Sequence, residues 1–129
     1  MVVDTSALLA VLLEEPDGAL FLARLSSTPR LLLSAANWLE LGIVIEGRKG
    51  PQWLADLDAF LEGLDIAVVP VSLSQARIAL DAYRRYGKGN HPASLNFGDC
   101  FAYALARDRD LPLLFKGEDF SQTDLRPAM

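Results

Sequence analysis

The sequence predicts an α/β domain in which helices cover both faces of a central, mainly parallel sheet. Four short apolar runs alternate with helical patterns, as the strands of a buried parallel sheet do. Two helical patterns separate each run from the next, which suits parallel connections. A chain of 129 residues is also the size of one domain and can bury a substantial core. We therefore treat residues 1–129 as a single three-layer domain.

Each element is supported by its periodicity or by a signal at its ends. Thr5-Ser6, Ser34 and Asn96 can each cap a helix, and Pro16 ends the first one. Residues 87–95 contain two glycines and a proline, which indicates an irregular loop. The strands are predicted at residues 2–3, 31–33, 66–71 and 113–115, and the helices at about 8–13, 20–25, 35–46, 53–64, 73–86 and 97–107.

Composition excludes several classes of protein. Hydrophobic residues make up 51% and charged residues 22%, so the chain is not intrinsically disordered. A single cysteine, Cys100, allows no internal disulfide and fits a reducing compartment. The amino terminus has no basic segment, and the longest apolar stretch there, residues 7–13, is too short for a membrane span. We therefore expect a cytoplasmic protein that does not enter a membrane.

The charge is acidic overall but unevenly distributed. The net charge is -5, so the overall basic charge of many nucleic-acid-binding proteins is absent. Residues 1–70 hold four basic and ten acidic residues, whereas residues 71–129 hold eight basic and seven acidic ones. A local basic patch is therefore possible, and the net charge does not exclude a polyanionic substrate.

Acidic residues follow the predicted strands where a ligand site is expected. In open parallel sheets, ligands bind beyond the carboxyl ends of the strands. Asp4 comes directly after the first strand, and Glu40 lies two turns into the helix after the second. Asp99 lies in the first turn of the sixth helix, and Glu118 and Asp119 follow the last strand.

Each acid also has a structural interpretation. Asp4 can cap the next helix, Asp99 has capping-box spacing from Asn96, and the last two acids can be turn residues. Glu40 is different, because its neighbours on the helix face are mostly apolar and no base lies at local spacing. Burying it is costly unless a cation or a distant arginine pairs with it.

Together the acids predict a magnesium or manganese site. Neighbouring carboxylates repel one another unless a cation relieves the charge, and an oxygen-only ligand set favours Mg²⁺ or Mn²⁺. The single histidine, His91, and the single cysteine argue against zinc and against Ser-His or Cys-His catalysis. Nucleotide-binding glycine motifs are absent. Such a metal site suits phosphoryl chemistry, since the cation neutralises a phosphodiester and activates water.

Four segments resemble the motifs of PIN-domain ribonucleases, and most closely those of the VapC toxins of bacterial toxin–antitoxin pairs. They are the segment Val-Val-Asp4-Thr5-Ser6-Ala7-Leu8, the helix around Glu40, Asn96-Phe97-Gly98-Asp99-Cys100, and Phe115-Lys116-Gly117-Glu118-Asp119-Phe120. They occur in the family's order and spacing and cover essentially the whole chain. The resemblance implies a three-layer PIN-like domain.

The same resemblance implies a function and partners. It implies a Mg²⁺-dependent endoribonuclease that cuts a structured RNA such as tRNA or rRNA, with Mn²⁺ as a substitute metal. It further implies homodimerisation and inhibition by a cognate VapB antitoxin. Asp4 and Asp99 match the family's principal metal ligands, and Glu40 matches its helical carboxylate, a ligand or water-positioning group. Thr5 or Ser6 matches the hydroxyl beside the first aspartate.

The fourth acid departs from the family pattern. Many members place an aspartate where this chain has Gly117, so the acid here is Asp119 or Glu118, and we favour Asp119. Asn96 and Lys116 match positions that orient Asp99 and contact phosphate.

Three basic residues, Arg84, Arg85 and Lys88, lie beside Tyr83 and Tyr86 and can bind RNA through phosphate contacts and stacking. A solvated helix end with cations near its carboxyl terminus is an equally good interpretation.

Two other functions fit part of the pattern. An aspartate after the first strand is also found in phosphate-monoester hydrolases and phosphoacceptor domains, in which Asp4 would be the nucleophile. A non-catalytic PIN domain that only binds a partner is the third possibility, although four intact acidic positions argue against it.

Overall fold

The computed structural model describes residues 1–129 and confirms the predicted three-layer α/β/α architecture. Its four strands are all parallel and lie in the order β3-β2-β1-β4, so their carboxyl ends share one edge of the sheet. The strands are β1 (Val2–Val3), β2 (Leu31–Ser34), β3 (Ile66–Val69) and β4 (Leu113–Leu114). The helices are α1 (Thr5–Leu12), α2 (Gly18–Ser26), α3 (Ala35–Lys49), α4 (Leu54–Gly63), α5 (Leu73–Tyr86) and α6 (Phe97–Arg109).

Several element ends differ from the prediction. Helix α3 continues to Lys49 rather than to about Glu46, and ends where Gly50 takes a φ of +93°. Helix α6 also extends further, to Arg109. Strand β3 stops at Val69, because the following Pro70 has no N–H to donate to a neighbouring strand. The predicted fourth strand is one residue shorter than expected.

Strand β3 is less buried than predicted. We expected every strand to be covered on both faces, but β3 lies at the edge of the sheet, with Ala67 and Val68 exposed. Helix α6 packs against β1, β2 and β4, whereas the main helix contacts of β3 are with α3 and α4. Strand order is not readable from a short apolar run, which looks the same at the edge and in the centre.

The core consists of two apolar clusters, one on each face of the sheet. Alternation along β1 sends Val2 to the cluster under α5 and α6, and Val3 to the cluster under α1–α4. Tyr103 fills the first cluster, and Leu41 belongs to the second. No helix has both the length and the apolar character that crossing a membrane requires.

Candidate metal and active site

Asp4 lies at the junction of β1 and α1 and is almost completely buried, with 4% of its surface exposed. It caps α1: Oδ2 accepts hydrogen bonds from the Ser6 amide at 3.0 Å and from the Ser6 hydroxyl at 2.5 Å. Its other oxygen, Oδ1, is buried and has no hydrogen-bond partner. The capping role is therefore real, but it uses only half of the carboxylate and leaves an acceptor that needs a donor or a cation.

Glu40 approaches the amino-terminal turn of α6 from α3. Its Oε1 accepts a hydrogen bond from Asn37 Nδ2 at 3.3 Å. Its Oε2 lies so close to Gly98 that a Cβ atom there would overlap with it. No arginine or lysine pairs with Glu40, so the ion pair with a distant arginine that we considered is not formed. Glycine at position 98 thus permits the close approach of α3 to the turn that carries Asp99.

Asp99 forms the capping box that its spacing from Asn96 predicted. The Asp99 amide donates to Asn96 Oδ1, and the Asn96 amide donates to Asp99 Oδ2, both at 2.9 Å. Burial raises the pKa of Asp99 to about 7; the hydrogen bond from the Asn96 amide opposes this rise, while the charges of Asp4, Asp119 and Glu40 add to it. The fold therefore brings Asp4, Glu40 and Asp119 within electrostatic reach of Asp99.

Asp119 and Glu118 are the two candidates for the fourth acid. The charge of Asp119 raises the pKa of Asp99, whereas Glu118 is not among the charges that do so. Both follow Gly117, which has a φ of +100° at the turn after β4. Side chains are strained in this conformation, which accounts for a glycine where many family members have an aspartate. The preference for Asp119 stays a prediction, which its charge effect on Asp99 favours.

Two hydroxyl groups flank Asp4, and the structure separates their roles. Ser6 donates to Asp4, and its Oγ accepts the Lys116 amide at 2.9 Å, which ties the end of β4 to the end of β1. Thr5 instead donates to the backbone carbonyl of Asn37 at 3.4 Å. Ser6 is thus the hydroxyl that holds the first aspartate.

The Lys116 side chain lies elsewhere than predicted. Its ammonium donates to Asp17 at 2.9 Å and to Glu15 at 3.2 Å, and the hydrogen bond that it donates to Asp17 is the largest cause that raises the Lys116 pKa. We expected this group to contact phosphate, but in the structure it pairs with acids of the α1–α2 connection. Only the Lys116 backbone amide takes part in the site.

The arrangement fits a hydrated magnesium ion. Asp4, Glu40 and Asp99 each use one oxygen in a protein hydrogen bond and leave the other without one. No group of three or more carboxylate, histidine and cysteine side chains converges into a ready-made metal cage. Mg²⁺ does not need one, because it usually keeps several waters and binds one or two carboxylates. Burial, with a smaller contribution from Glu40, raises the pKa of Asp4 to about 6, and a bound cation would relieve this cost.

The three basic residues predicted to contact RNA lie in different surroundings. Arg85 is engaged by Asp81 at 3.6 Å and Asp124 at 3.7 Å. Arg84 is exposed and forms no ion pair, and Lys88 lines a cavity of about 530 Å³ that reaches Asn96 at the edge of the site. Arg84 and Lys88 are therefore the cations that remain available to a polyanion.

Sequence reasoning missed two residues of the site, Asn37 and Gly98. Asn37 Nδ2 donates to the Gly98 carbonyl at 3.0 Å, across 61 positions of the chain. The only local signal was the three-residue spacing between Asn37 and Glu40, which places both on one helix face. The contact with Gly98 has no local signal.

Comparison with known proteins identifies the family. The PIN domain family model matches residues 1–125. The chain is 50% identical over 125 residues to a ribonuclease VapC of Mycolicibacterium smegmatis, with 97% of each chain covered. It is 49% identical over 125 residues to ribonuclease VapC30 of Mycobacterium tuberculosis, covering 97% of this chain and 95% of the relative.

Two solved structures share the fold. VapC20 of Mycobacterium tuberculosis, described as a sarcin-ricin loop cleaving toxin, matches with a TM-score of 0.77 and 19% identity over 98% of both chains. A toxin–antitoxin complex from Klebsiella pneumoniae matches with a TM-score of 0.70 and 17% identity, covering 95% of this chain and 92% of the other. On the strength of the family model and the curated relatives, this chain belongs to the PIN-domain family and, within it, to the VapC ribonucleases.

Proposed function

We propose that this protein is a Mg²⁺-dependent endoribonuclease that hydrolyses phosphodiester bonds in a structured RNA, such as a tRNA or an rRNA. One observation carries the proposal: Asp4, Glu40 and Asp99 lie at the carboxyl edge of the sheet, near enough for the charges of Asp4 and Glu40 to act on Asp99, and each leaves one oxygen unused by the protein. Such a set of oxygen ligands is suited to Mg²⁺, with Mn²⁺ as a substitute.

The acids have different roles in this proposal. Asp4 and Asp99 are the principal ligands, and Glu40 is a third ligand or orients the attacking water. Asp119 completes the acidic edge and is favoured over Glu118 by its effect on the Asp99 pKa. When bound, the metal ion supplies the positive charge that a phosphodiester needs and lowers the pKa of a water molecule.

Neighbouring groups hold the acids in place. Ser6 and the capping role of Asp4 fix Oδ2, which leaves Oδ1 for the cation. The capping box orients Asp99 in the same way, because the Asn96 amide donates to Asp99 Oδ2 and leaves Oδ1 for the cation. Each ligand is thus oriented by the first turn of a helix rather than by a loop, which limits its freedom before the cation binds.

RNA is the proposed substrate because the curated relatives are ribonucleases and because two cations remain unpaired, of which Lys88 lines the cavity that reaches Asn96. Arg84 and Lys88 are the proposed phosphate contacts. Arg85 contributes less than predicted from the sequence, because Asp81 and Asp124 already pair with it. The relative solved as a sarcin-ricin loop cleaving toxin supports a structured target.

We further infer a homodimer formed through an exposed apolar face of α3 and α6. Leu39, Ile43 and Phe97 are 57%, 63% and 79% exposed, and they border one cavity of about 600 Å³ that also includes Glu40. Exposed apolar surface of this kind is typical of an interface. A Phe97→Glu variant is expected to be monomeric by light scattering, and a wild-type protein that is monomeric at micromolar concentration would contradict this inference.

The second proposed partner is a VapB-type antitoxin. The curated relatives are VapC ribonucleases, and one solved structure of the same fold is a toxin–antitoxin complex. Co-expression with a small protein encoded beside this chain's gene is expected to suppress RNA cleavage. Full cleavage in a purified complex with that protein would contradict its assignment as the antitoxin.

RNA cleavage itself is tested with purified protein free of any antitoxin. Total cellular RNA is incubated with it in Mg²⁺ or in EDTA, and new 5′ ends are mapped, with Asp4→Asn protein as the control for contaminating nucleases. We expect discrete cuts that require Mg²⁺ and disappear in the variant. Metal binding without cuts in any of tRNA, rRNA or mRNA would support a non-catalytic PIN domain, and a fluoroberyllate adduct on Asp4 would support a phosphoacceptor.

A further inference from the structure

Asn37 is a fully buried amide that touches three of the elements that build the site. It lies in the first turn of α3 and has no exposed surface. Its Nδ2 donates to Glu40 Oε1 at 3.3 Å and to the carbonyl of Gly98 in α6 at 3.0 Å. Its backbone carbonyl accepts the hydroxyl of Thr5 in α1. Asn37 thus contacts Thr5, which follows Asp4, and Gly98, which precedes Asp99. It also contacts Glu40 directly.

Stability alone does not explain an amide at this position. Asn37 Oδ1 is buried without a partner, and the only other buried side-chain polar atom without one is Asp4 Oδ1. An unpaired buried acceptor costs free energy, which an apolar side chain of similar volume would avoid. The amide therefore has to be explained by the contacts that its Nδ2 makes.

We propose that Asn37 is a positioning residue of the metal site, which fixes the Glu40 carboxylate and locks α3 to the turn of α6 that carries Asp99. Its bond is the only hydrogen bond that the Glu40 carboxylate receives, and no ion pair restrains that side chain. Residues that orient metal ligands are often as important as the ligands themselves. This inference rests on the proposed function, since it assigns Asn37 a role at the same site.

A purely structural role makes a different prediction, and the chain contains a matched control. Gln75 is also a buried amide, 4% exposed, and its Nε2 donates to Asp108 Oδ2 at 3.3 Å. It joins α5 to α6 and has no contact with Asp4, Glu40 or Asp99. Replacing either amide by alanine removes a buried bond between elements, but only Asn37→Ala removes one that involves a metal ligand.

The test combines a Mn²⁺ titration by calorimetry with steady-state cleavage of an RNA that the wild type cuts. For Asn37→Ala we expect Mn²⁺ affinity and kcat to fall about 10- to 100-fold while KM for RNA is unchanged. Asn37→Leu, which keeps the volume without the donor, should show the same loss. Gln75→Ala should lower the melting temperature and leave Mn²⁺ affinity as in the wild type.

A double-mutant cycle identifies the route of the effect. If Asn37 acts through Glu40, then Asn37→Ala lowers Mn²⁺ affinity much less in a Glu40→Gln background than in the wild type. Wild-type Mn²⁺ affinity and kcat in both Asn37 variants would overturn the inference. Losses that simply add in the cycle would overturn the role assigned to Asn37 through Glu40. If the wild type neither binds Mn²⁺ nor cuts RNA, both the proposed function and this inference are refuted. That outcome is measured on the wild type alone, so it is distinguishable from a failure of the Asn37 inference.

Discussion

Asp99 and Asp124 are the same residue type in opposite electrostatic surroundings. Asp124 accepts a hydrogen bond from the Tyr103 hydroxyl at 2.7 Å and pairs with Arg107 at 3.4 Å and Arg85 at 3.7 Å. Partial burial disfavours its ionisation, but the Tyr103 bond and the two arginines outweigh this and lower its pKa. Burial raises the pKa of Asp99 to about 7, and the charges near it are other carboxylates.

The difference distinguishes a carboxylate whose charge the fold neutralises from one whose charge the fold leaves uncompensated. Around Asp124 the protein supplies the donors and cations, so folding is enough to stabilise the charge. Around Asp99 the protein supplies more negative charge, so the carboxylate charge is relieved either by protonation or by a cation from outside the chain. Strongly perturbed carboxylates that lie together at a sheet edge are typical of functional sites.

The largest expected effect is the loss of catalysis when a carboxylate of the acidic edge is neutralised. Asp4→Asn and Asp99→Asn should each lower RNA cleavage more than about 100-fold, because the charge stabilisation that a metal provides is several kcal/mol. Both variants should stay folded: asparagine caps a helix as well as aspartate at position 4, and at position 99 its amide oxygen can still accept the Asn96 amide. Asp124→Asn should cleave at close to the wild-type rate. Initial rates on one mapped RNA give the comparison, and equal losses in all three variants would contradict it.

A methyl group at Gly98 tests how tightly the site is packed. Because its Cβ would overlap with Glu40 Oε2, Gly98→Ala should displace that carboxylate and lower kcat about 10- to 100-fold. Gly47→Ala is the matched control, since a Cβ there meets nothing within 4 Å and the residue lies in α3. That variant should keep its activity and gain about 0.5 to 1 kcal/mol of stability. Unchanged activity in Gly98→Ala would show that Glu40 is free to move.

The pH dependence of stability without metal should have opposite signs in the two regions. The pKa of Asp4 is raised by burial to about 6 in the native protein, from 3.8 for a solvent-exposed aspartate, so the native state holds this proton more tightly than the unfolded state. That contribution is complete below 3.8 and is lost as the pH rises through about 6. In EDTA, Asp4→Asn should therefore match the wild type near pH 4 and exceed its stability by about 1 to 3 kcal/mol at pH 7.5.

Asp124→Asn should show the reverse trend in the same urea titrations. Because its native pKa is lowered, the Asp124 carboxylate stabilises the protein above its unfolded pKa, and this stability is lost as the pH falls through the native value. The variant should be less stable than the wild type at pH 7.5 and approach it in acid. Stability differences of the same sign for the two variants at pH 7.5 would refute the distinction between the regions.

The smallest expected effect concerns RNA affinity. Lys88→Gln should weaken RNA binding about equally for different sequences and reduce the slope of log affinity against log salt by about 1. Arg85→Gln should have a smaller effect, because Asp81 and Asp124 already neutralise that guanidinium. Both variants are made in an Asp4→Asn background, so that the RNA is not cut during the measurement. Fluorescence anisotropy of a labelled RNA over a range of salt concentrations then gives the slope of log affinity against log salt for each variant. A larger change in Arg85→Gln would mean that its ion pairs open when RNA binds.

Local patterns in the sequence predicted the order of the elements and the approximate position of the acids. Apolar periodicity and capping residues determine these locally, as the capping box at Asn96 and Asp99 illustrates. Contacts between distant segments were not predictable in this way. Lys116 pairs with Glu15 and Asp17 about a hundred positions away, and the approach of Gly98 to Glu40 depends on how two helices pack.

The central claim is that the acidic edge, and not the paired Asp124 cluster, binds a divalent cation. Calorimetric titration of Mn²⁺ into the purified protein at pH 7.5 tests this without any RNA. The account predicts saturable binding by the wild type and by Asp124→Asn, and its loss in Asp4→Asn and Asp99→Asn. Equal Mn²⁺ binding by all four proteins, or none by the wild type, would contradict it.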